Sequence, residues 1–291
     1  MGGRRVPSDL KLAAQFPTQP WRRVVGPAGV PIAVFRLGEG PPVVLVHGTT
    51  SDHTTWRVVA PMLASRFELF AVDRRGRGAS GDGPASIADG YRMEDEYDDL
   101  AAVVEAVADE RGGPVDVVGH SFGGRCGLGA AERTPALRRL VVYEGAPARS
   151  GERFERADLV TELERRVRAG DRAGALEWFM RVVVGMDDAA IAAFRADPVW
   201  PARVAAAHTI PRELAAADVD LPARFAGVRQ PILLLVGGES RAVFRAGSGE
   251  LAALLANGSL AVIDGARHGA HHTHPAAFVG AVADFLASGP L

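Results

Sequence analysis

DVVGHSFGGR, which spans Asp116–Arg125, places a serine between two glycines directly after an apolar run. The β-branched residues before Ser121 predict a buried strand, and the residues after it predict a helix. At a sharp strand-to-helix turn a serine hydroxyl is exposed, and residues larger than Gly119 and Gly123 would collide with the neighbouring strand and helix. The glycines also suit a tight turn without chemistry, but the strand–turn–helix frame favours a nucleophilic serine.

Buried strands and helical segments alternate on both sides of this turn. Apolar runs rich in β-branched residues predict strands, and apolar positions three and four apart, as in 93–110, predict helices. Such alternation is typical of α/β proteins, in which a mostly parallel sheet carries helices on both faces. We therefore predict a mostly parallel, doubly wound sheet of about eight strands. The predicted strands are 21–25, 30–38, 41–48, 67–73, 114–119, 137–145, 230–238 and 259–265.

One long segment interrupts this pattern. From Pro147 to about Phe225 strand signals are absent, and arginine- and alanine-rich helical segments are broken by prolines. Because buried strands return after it, the segment is predicted to be inserted between two strands of one sheet. We predict a core formed by residues 1–146 and 226–291, with a helical insertion at 147–225.

A base for the serine is predicted near the C-terminal end of the sequence. A serine hydroxyl is a poor nucleophile until a base removes its proton, and histidine titrates in the useful range. His268 follows the last predicted strand, at the carboxyl edge of the sheet. The same stretch contains His271, His272 and His274, and a histidine-rich tract can bind metal. The neighbouring residues do not complete a typical zinc-ligand set, so a base is favoured over a metal site.

Backbone donors for a developing oxyanion are predicted beside the serine. Thr49 follows the buried strand at 41–48, at the same predicted edge of the sheet as Ser121. The backbone N–H groups of Thr49 and Phe122 could together bind an oxyanion. His47 and Gly48, which precede Thr49, also suit a simple strand-ending turn.

These features follow one another in an order that resembles the α/β-hydrolase family. The resemblance extends from about Trp21 to Leu286, and it is specific because four separate motifs agree. It implies the fold predicted above, with the helical insertion as a cap over the site. The motifs are HGTTSDHTTW (47–56), DRRGRGAS (73–80), GHSFGG (119–124) and GARHGAHHTHP (265–275).

The same resemblance implies a role for each candidate site residue. Ser121 is expected to be the nucleophile and His268 the base. The N–H groups of Thr49 and Phe122 are expected to be the oxyanion donors. A structural loop without chemistry is implied for Asp73, Arg75, Gly76 and Gly78.

The acid of the expected triad departs from the family's usual pattern. In the family, a carboxylate usually stands three residues after the glycine that ends the strand before the last. Here Ser240 occupies that position, and Glu239 lies one residue early. Some branches carry the acid at the end of the preceding strand of the sheet, which in this chain ends in Glu144. A carboxylate there is expected to be partly buried and to need a partner, so we favour Glu144 and keep Glu239 as the alternative.

Several residues are candidates for the substrate pocket. Aromatic residues of a cap equally suit the cap's own core, so composition alone does not separate the two roles. Cys126 is interpreted as a packed core thiol and Arg125 as a structural residue. The pocket candidates are His120, Trp56, Trp178, Phe179, Met186 and Trp200.

The serine and the resemblance together imply a hydrolase that cleaves a carboxylic ester or lactone through an acyl-enzyme. Dehalogenases and epoxide hydrolases of this family use an aspartate nucleophile, so Ser121 excludes them. A thioesterase, a C–C bond hydrolase, a haloperoxidase-like enzyme or a natural-product cyclase stays open on the same scaffold. A ligand-binding signalling protein that retains the triad is the alternative from another class.

Composition limits the expected partners and location. The 291 residues are 47% hydrophobic with a net charge of -2, which does not favour nucleic acid or an anionic membrane as partner. A single cysteine excludes an intrachain disulfide. No apolar stretch has the length of a signal-peptide core near the N-terminus or of a membrane span elsewhere. We predict a cytoplasmic protein that binds a small, largely apolar substrate without cofactor or metal, in an oligomeric state that the sequence leaves open.

Overall fold

The computed structural model describes residues 15–148, 157–216 and 221–288, which contain one eight-stranded sheet. Parts of the predicted core and of the predicted insertion, at 1–14, 149–156, 217–220 and 289–291, lie outside the described residues. The strands are β1 (Arg22–Val25), β2 (Pro31–Leu37), β3 (Pro42–Val46), β4 (Glu68–Val72), β5 (Val115–His120), β6 (Leu137–Tyr143), β7 (Ile232–Gly237) and β8 (Gly258–Ile263). The helices are α1 (Ala60–Leu63), α2 (Met93–Arg111), α3 (Phe122–Ala131), α4 (Ala157–Arg168), α5 (Arg172–Phe179), α6 (Asp188–Ala196), α7 (Trp200–Ala206), α8 (Ile210–Ala216), α9 (Ala242–Leu254), α10 (Ala270–Thr273) and α11 (Pro275–Ala287).

The strands are arranged in the order β1-β2-β4-β3-β5-β6-β7-β8. Among the described strands, β2 runs antiparallel to both of its neighbours, β1 and β4, and the pairs from β4 through β8 are parallel. The prediction of a mostly parallel sheet of about eight strands is therefore confirmed. The parallel strands end at one edge of the sheet, which is where ligands bind in folds of this kind.

Apolar side chains cover both faces of the sheet, as the continuous β-branched runs predict. Along β5, Val117 packs with helices α2 and α3 on one face, and Val118 packs with α1 and α11 on the other. Successive residues of a strand point to opposite faces, so a strand covered on both sides must be apolar throughout. The central strands β3 to β7 are therefore buried on both faces.

Helices α4 to α8 lie between β6 and β7, and they are called the insertion below. Their apolar side chains form a separate cluster in which Leu163, Leu176 and Ile210 are fully buried. These helices lie between two adjacent parallel strands of the sheet. The division of the chain into a core at 1–146 and 226–291 and a cap at 147–225 stays a prediction. Within the described ranges, none of the helices has the length and apolar character needed to cross a membrane.

The loop after β4 is tied to its surroundings by hydrogen bonds rather than exposed for chemistry. The Asp73 carboxylate accepts hydrogen bonds from the backbone N–H groups of His53 and Ala79, both at 2.8 Å. Arg75 donates from Nε to Asp99 at 2.7 Å. These contacts fit the structural role that the sequence implies for this loop.

Helix α8 is anchored to the core by buried charges. The Glu213 carboxylate accepts hydrogen bonds from Arg74 and Arg77 of the loop after β4, and none of the three side chains is more than 4% exposed. Arg74 also donates to Glu96 of α2, with both N···O distances at 3.2 Å. Burial by itself lowers the pKa of Arg74, but the charges of Glu213 and Glu96 outweigh it and raise that pKa above its usual range. The carboxylate therefore holds two buried cations in place.

Replacing Glu213 by glutamine is predicted to destabilise the protein by about 3 kcal/mol, because it leaves the buried Arg77 without its counter-charge and the buried Arg74 with Glu96 alone. The matched control is Glu164→Gln, which removes an exposed pair with Arg168 on α4. That pair is expected to contribute less than about 1 kcal/mol. Urea unfolding of both variants measures the difference, and equal losses would contradict the anchoring role of Glu213.

Candidate active site

Ser121 lies at the turn between β5 and α3. Its backbone has φ 53° and ψ -124°, a conformation that residues with a side chain rarely adopt. A Cβ on Gly119 would lie 2.5 Å from the carbonyl oxygen of Gly123, and one on Gly123 would collide with the carbonyl of Val46 in β3. Glycine is therefore needed on both sides of the serine for the steric reason that the sequence predicts.

The structure brings Glu144, at the end of β6, against His268. Oε2 of Glu144 lies 2.7 Å from Nδ1 of His268, and the glutamate residue is only 2% exposed. The other oxygen, Oε1, accepts hydrogen bonds from the N–H of Gly237, at 2.8 Å, and from the hydroxyl of Ser240. Ser240 thus stands where the acid usually lies and donates to the acid that comes from the neighbouring strand.

Glu239, the alternative acid, lies away from the histidine. Its side chain is 59% exposed, and its Oε2 is 3.5 Å from Nε of Arg267. A carboxylate in water with one exposed ion pair has little influence on a buried group. Of the two candidate acids, only Glu144 is in contact with His268 within the described part of the chain.

The loop that carries His268 is held by the two strands beside it. His120 donates from Nε2 to the carbonyl oxygen of His268 at 2.9 Å. The Tyr143 hydroxyl donates to the carbonyl of Arg267 and accepts from the N–H of Ala270 at 3.3 Å. His120 and Tyr143 immediately precede Ser121 and Glu144, so the residues before the candidate nucleophile and acid fix the backbone of the candidate base.

Ser121 and His268 line the same cavity, which has a volume of about 80 Å³. Among the described residues, the serine hydroxyl makes no hydrogen bond to the histidine. Such contacts are often long in ligand-free sites and shorten when substrate binds. The ring of Phe244 stacks on the imidazole of His268, with centroids 4.7 Å apart and planes at 19°. The other apolar lining residues include Phe179, Val183, Val184, Leu214 and Val243.

The backbone before Thr49 passes very close to the serine. A Cβ on Gly48 would lie 2.9 Å from Cβ of Ser121, so only glycine allows this approach. Thr49 and Phe122 both line the cavity, and within the described residues neither backbone N–H donates to another residue. The first N–H groups of a helix have no partner inside it, which leaves that of Phe122 free for a ligand.

His47, which sequence reasoning treats as part of a turn, fixes this approach. Its Nδ1 donates to the carbonyl of Gly48 at 2.8 Å, and its Nε2 accepts from the N–H of Arg74 at 3.0 Å. This pattern requires the neutral ring with the proton on Nδ1. Burial, assisted by the charges of Arg74 and Arg77, lowers the pKa of His47 and keeps the ring neutral. The feature of the sequence that points to this role of His47 is its position immediately before Gly48.

The structure places most of the predicted pocket residues outside the lining of this cavity. Of those candidates, only Phe179 is part of the cavity lining. Trp56 is fully buried near His271, with ring centroids 5.4 Å apart, and Trp200 packs edge-on against Phe194 at 5.3 Å. Trp178 packs against the apolar cluster of the insertion. The remaining two candidates, Met186 and His120, lie outside the lining as well.

Arg125 and Cys126 follow the serine on α3. Arg125 lines the cavity and donates from Nη2 to the carbonyl of Ala146 at 3.2 Å. Cys126 is buried, and burial raises the pKa of its thiol far above the usual value. A protonated, buried thiol is not a nucleophile, in agreement with its interpretation as a core residue.

His271 and His272, which follow His268, pack against each other, and His271 also packs against His120. The rings of His271 and His120 have centroids 4.5 Å apart, and those of His271 and His272 are 4.2 Å apart. Nε2 of both His271 and His272 is 3.4 Å from the hydroxyl of Thr55. In the described ranges, no three histidine, cysteine, aspartate or glutamate side chains are arranged to hold a metal ion.

A mostly parallel eight-stranded sheet with a serine at this turn and a histidine after the last strand defines the class of alpha/beta hydrolases. The sequence model of the alpha/beta hydrolase family matches residues 43–281, and the chain belongs to this family.

Similar proteins are known in sequence and in structure. N-formylmaleamate deformylase of Pseudomonas putida is 30% identical over 266 residues, 86% of this chain and 90% of its own length. 2-(Acetamidomethylene)succinate hydrolase of Mesorhizobium japonicum is 27% identical over 268 residues, 88% of this chain and 92% of its own length. The crystal structure of an alpha/beta hydrolase from Sphaerobacter thermophilus is 33% identical and has a TM-score of 0.76, covering 91% of this chain and 100% of that one.

His272 is predicted to make the protein less stable in acid. Burial and the charges of Arg57 and Arg203 lower its pKa from 6.5 to about 4. Between these values the unfolded chain binds a proton that the folded protein excludes, so the free energy of unfolding falls as the pH falls from 6.5 to 4.

As the pH falls from 6.5 to 4, the free energy of unfolding of a His272→Gln variant is expected to fall less than that of the wild type. The difference between the two slopes should be about 1 kcal/mol per pH unit. Urea unfolding at several pH values measures the two slopes. Comparison of the two slopes removes the contribution of other titrating groups. Asp99, for example, acts in the opposite direction, because burial raises the pKa of its carboxyl group to about 6. Parallel slopes would show that His272 is not kept neutral by the fold.

Proposed function

We propose that this chain is a serine hydrolase that cleaves a small carboxylic ester or lactone through an acyl-enzyme. One observation carries the proposal: a buried glutamate oxygen lies 2.7 Å from Nδ1 of His268, and Ser121 lines the same cavity as this histidine. A histidine oriented by a buried acid on one nitrogen is the arrangement that activates a serine hydroxyl at the other.

In the first half-reaction, Ser121 Oγ attacks the carbonyl carbon of the substrate while Nε2 of His268 accepts its proton. Glu144 accepts the hydrogen bond from Nδ1–H and stabilises the imidazolium. The N–H groups of Thr49 and Phe122 bind the oxyanion of the tetrahedral intermediate. The leaving alcohol takes the proton from His268, and the acyl group stays on the serine.

In the second half-reaction, water replaces the alcohol. His268 accepts a proton from the water as its oxygen attacks the acyl carbon, and then donates the proton to Ser121 Oγ as the acid is released. A lactone follows the same course, except that the leaving alcohol and the acid belong to one product molecule.

The size of the cavity supports a short acyl group. Its volume of about 80 Å³ is well below the ~300 Å³ of the smallest sites for drug-sized ligands. Phe179, Val184 and Leu214 of the insertion give it an apolar wall. An acetyl or similarly small, uncharged acyl group fits this description, and a long acyl chain does not.

Hydrolysis of a small N-acyl compound is a second candidate. The relatives described above are named for 2-(acetamidomethylene)succinate and N-formylmaleamate, and both names contain a short acyl group on nitrogen. The same residues would act, with His268 donating its proton to the leaving nitrogen. Turnover of an acetate ester and of the matching acetamide separates the two activities, and a protein that only binds ligand would not turn over either one repeatedly.

Ser121→Ala is predicted to abolish turnover of a short-chain ester, with a loss of about 10⁴-fold or more in kcat/KM, because it removes the hydroxyl that forms the acyl-enzyme. The variant should also fail to react with a fluorophosphonate probe that labels the wild type. Ser65→Ala, at an exposed serine, is the matched control and should keep full activity. More than a tenth of wild-type turnover in the Ser121 variant would exclude this serine as the nucleophile.

Replacement of Glu144 and replacement of Glu239 are predicted to have very different effects on kcat. Glu144→Gln should lower kcat by about 10²–10⁴-fold with a smaller change in KM, because the acid holds the imidazole and stabilises its charged form in the transition state. Glu239→Gln removes the same charge at an exposed position and should lower kcat by less than about tenfold. Steady-state kinetics on one ester measures both, and the reverse order would assign the acid to Glu239.

A further inference from the structure

Two large apolar side chains of β8 are exposed at one edge of the sheet. Leu260 is 47% exposed and Val262 is 53% exposed. Ala261 and Ile263 pack with the apolar cluster on the α11 face, so the alternate residues Leu260 and Val262 point to the opposite face. These two side chains are called the β8 patch below. Exposed apolar side chains that lie together in this way mark a surface that binds another molecule.

The backbone beside the β8 patch has hydrogen-bonding groups that face away from the sheet. β8 pairs with β7 on one side, and no other described strand lies on its outer side. The carbonyl oxygens of Asn257 and Ile263 accept hydrogen bonds from residues at the two ends of β7, both at 2.9 Å. Because alternate residues of a parallel strand bond to the same neighbour, the N–H and carbonyl groups of Leu260 and Val262 point outward. An unpaired strand edge of this kind can pair with a strand of another chain.

The opposite edge of the sheet has features that hinder such pairing, and β8 lacks them. β1 is only four residues long, and it contains the exposed Arg22 and Arg23. Arg22 also forms an ion pair with Glu110 at 3.3 Å. A short edge strand with charged side chains resists pairing with another chain. β8 has six residues, GSLAVI, and none of them is charged.

The two ends of β8 have opposite charges. The exposed Asp264 directly follows the strand. At the other end, the side chain of Asn257 donates to the carbonyl of Arg229 at 2.7 Å, so this exposed arginine lies beside the start of β8. Within the described residues, neither Asp264 nor Arg229 forms an ion pair. If two copies of β8 paired antiparallel, the acidic end of each would meet the basic end of the other, so the edge is complementary to itself in charge.

We infer that β8 pairs antiparallel with β8 of a second copy of this chain, about a two-fold axis at Ala261. This register places Leu260 opposite Val262 of the second copy in two equivalent pairs, and apolar pairs across strands stabilise a sheet. An axis at Leu260 would instead place Val262 opposite Gly258. A two-fold contact uses the same surface of both copies, so the product is a closed dimer. The pairing does not depend on the reaction proposed for Ser121.

Val262→Lys is expected to raise the dissociation constant of the dimer by about tenfold or more, because pairing would bury the added charge against Leu260 of the second copy. Analytical ultracentrifugation at micromolar concentration measures the change. The matched control is Val25→Lys, which alters a valine that is 60% exposed on the opposite edge strand and should leave the dimer unchanged. A monomeric wild type, or a dimer that Val262→Lys does not weaken, would overturn the proposal.

A cross-link tests the register without relying on the Val262 variant. With the axis at Ala261, the two copies of this residue form a non-hydrogen-bonded pair with Cα atoms about 4.5 Å apart, which a disulfide can bridge. Ala261→Cys should therefore give a covalent dimer under mild oxidation, and the buried Cys126 should not take part.

Ser259→Cys is the control for the cross-link. Ser259 is exposed and lies on the same face of β8 as Ala261, but its two copies would be about 13 Å or more apart. This variant should stay uncross-linked on a non-reducing gel. No covalent dimer of Ala261→Cys, or equal cross-linking of the two variants, would overturn the proposal.

Discussion

The parallel register of β5 and β6 is the constraint on which the site depends. It sets His120 opposite Tyr143, so the next residues along the two strands, Ser121 and Glu144, leave the edge of the sheet side by side. Both have a left-handed backbone, with φ of 53° and 50°, and such strain persists only where the surrounding structure imposes it. Because side chains alternate along a strand, a shift of one residue would turn the glutamate to the other face of the sheet.

The histidine reaches this edge from a distant part of the sequence, yet the same two strands hold it. The side chains of His120 and Tyr143 bind the backbone carbonyls of His268 and Arg267. The acid, in turn, is held by Gly237 and Ser240 at the end of β7. Groups at or just beyond the ends of β5, β6 and β7 therefore hold Glu144 and the loop of His268 in place.

The sheet and the contact between Glu144 and His268 were predictable from the sequence because both follow from strand ends. Continuous β-branched runs identify the buried strands, and the uncharged Ser240 directs the search for an acid to the end of β6. The pocket was not predictable, because helices of the insertion have no sheet to fix their register. Trp178 and Trp200 pack within the insertion.

The order of the elements along the chain has a consequence during synthesis. Thr49, the turn at Ser121 and Glu144 all precede the insertion, whereas His268 follows Glu144 by 124 residues. β7 joins β6 only after the whole insertion has been made, and closing so long a loop is slow compared with local pairing. An emerging polypeptide on the ribosome thus carries Ser121 and Glu144 before it carries His268, so the candidate site is assembled only when the last strands have joined the sheet.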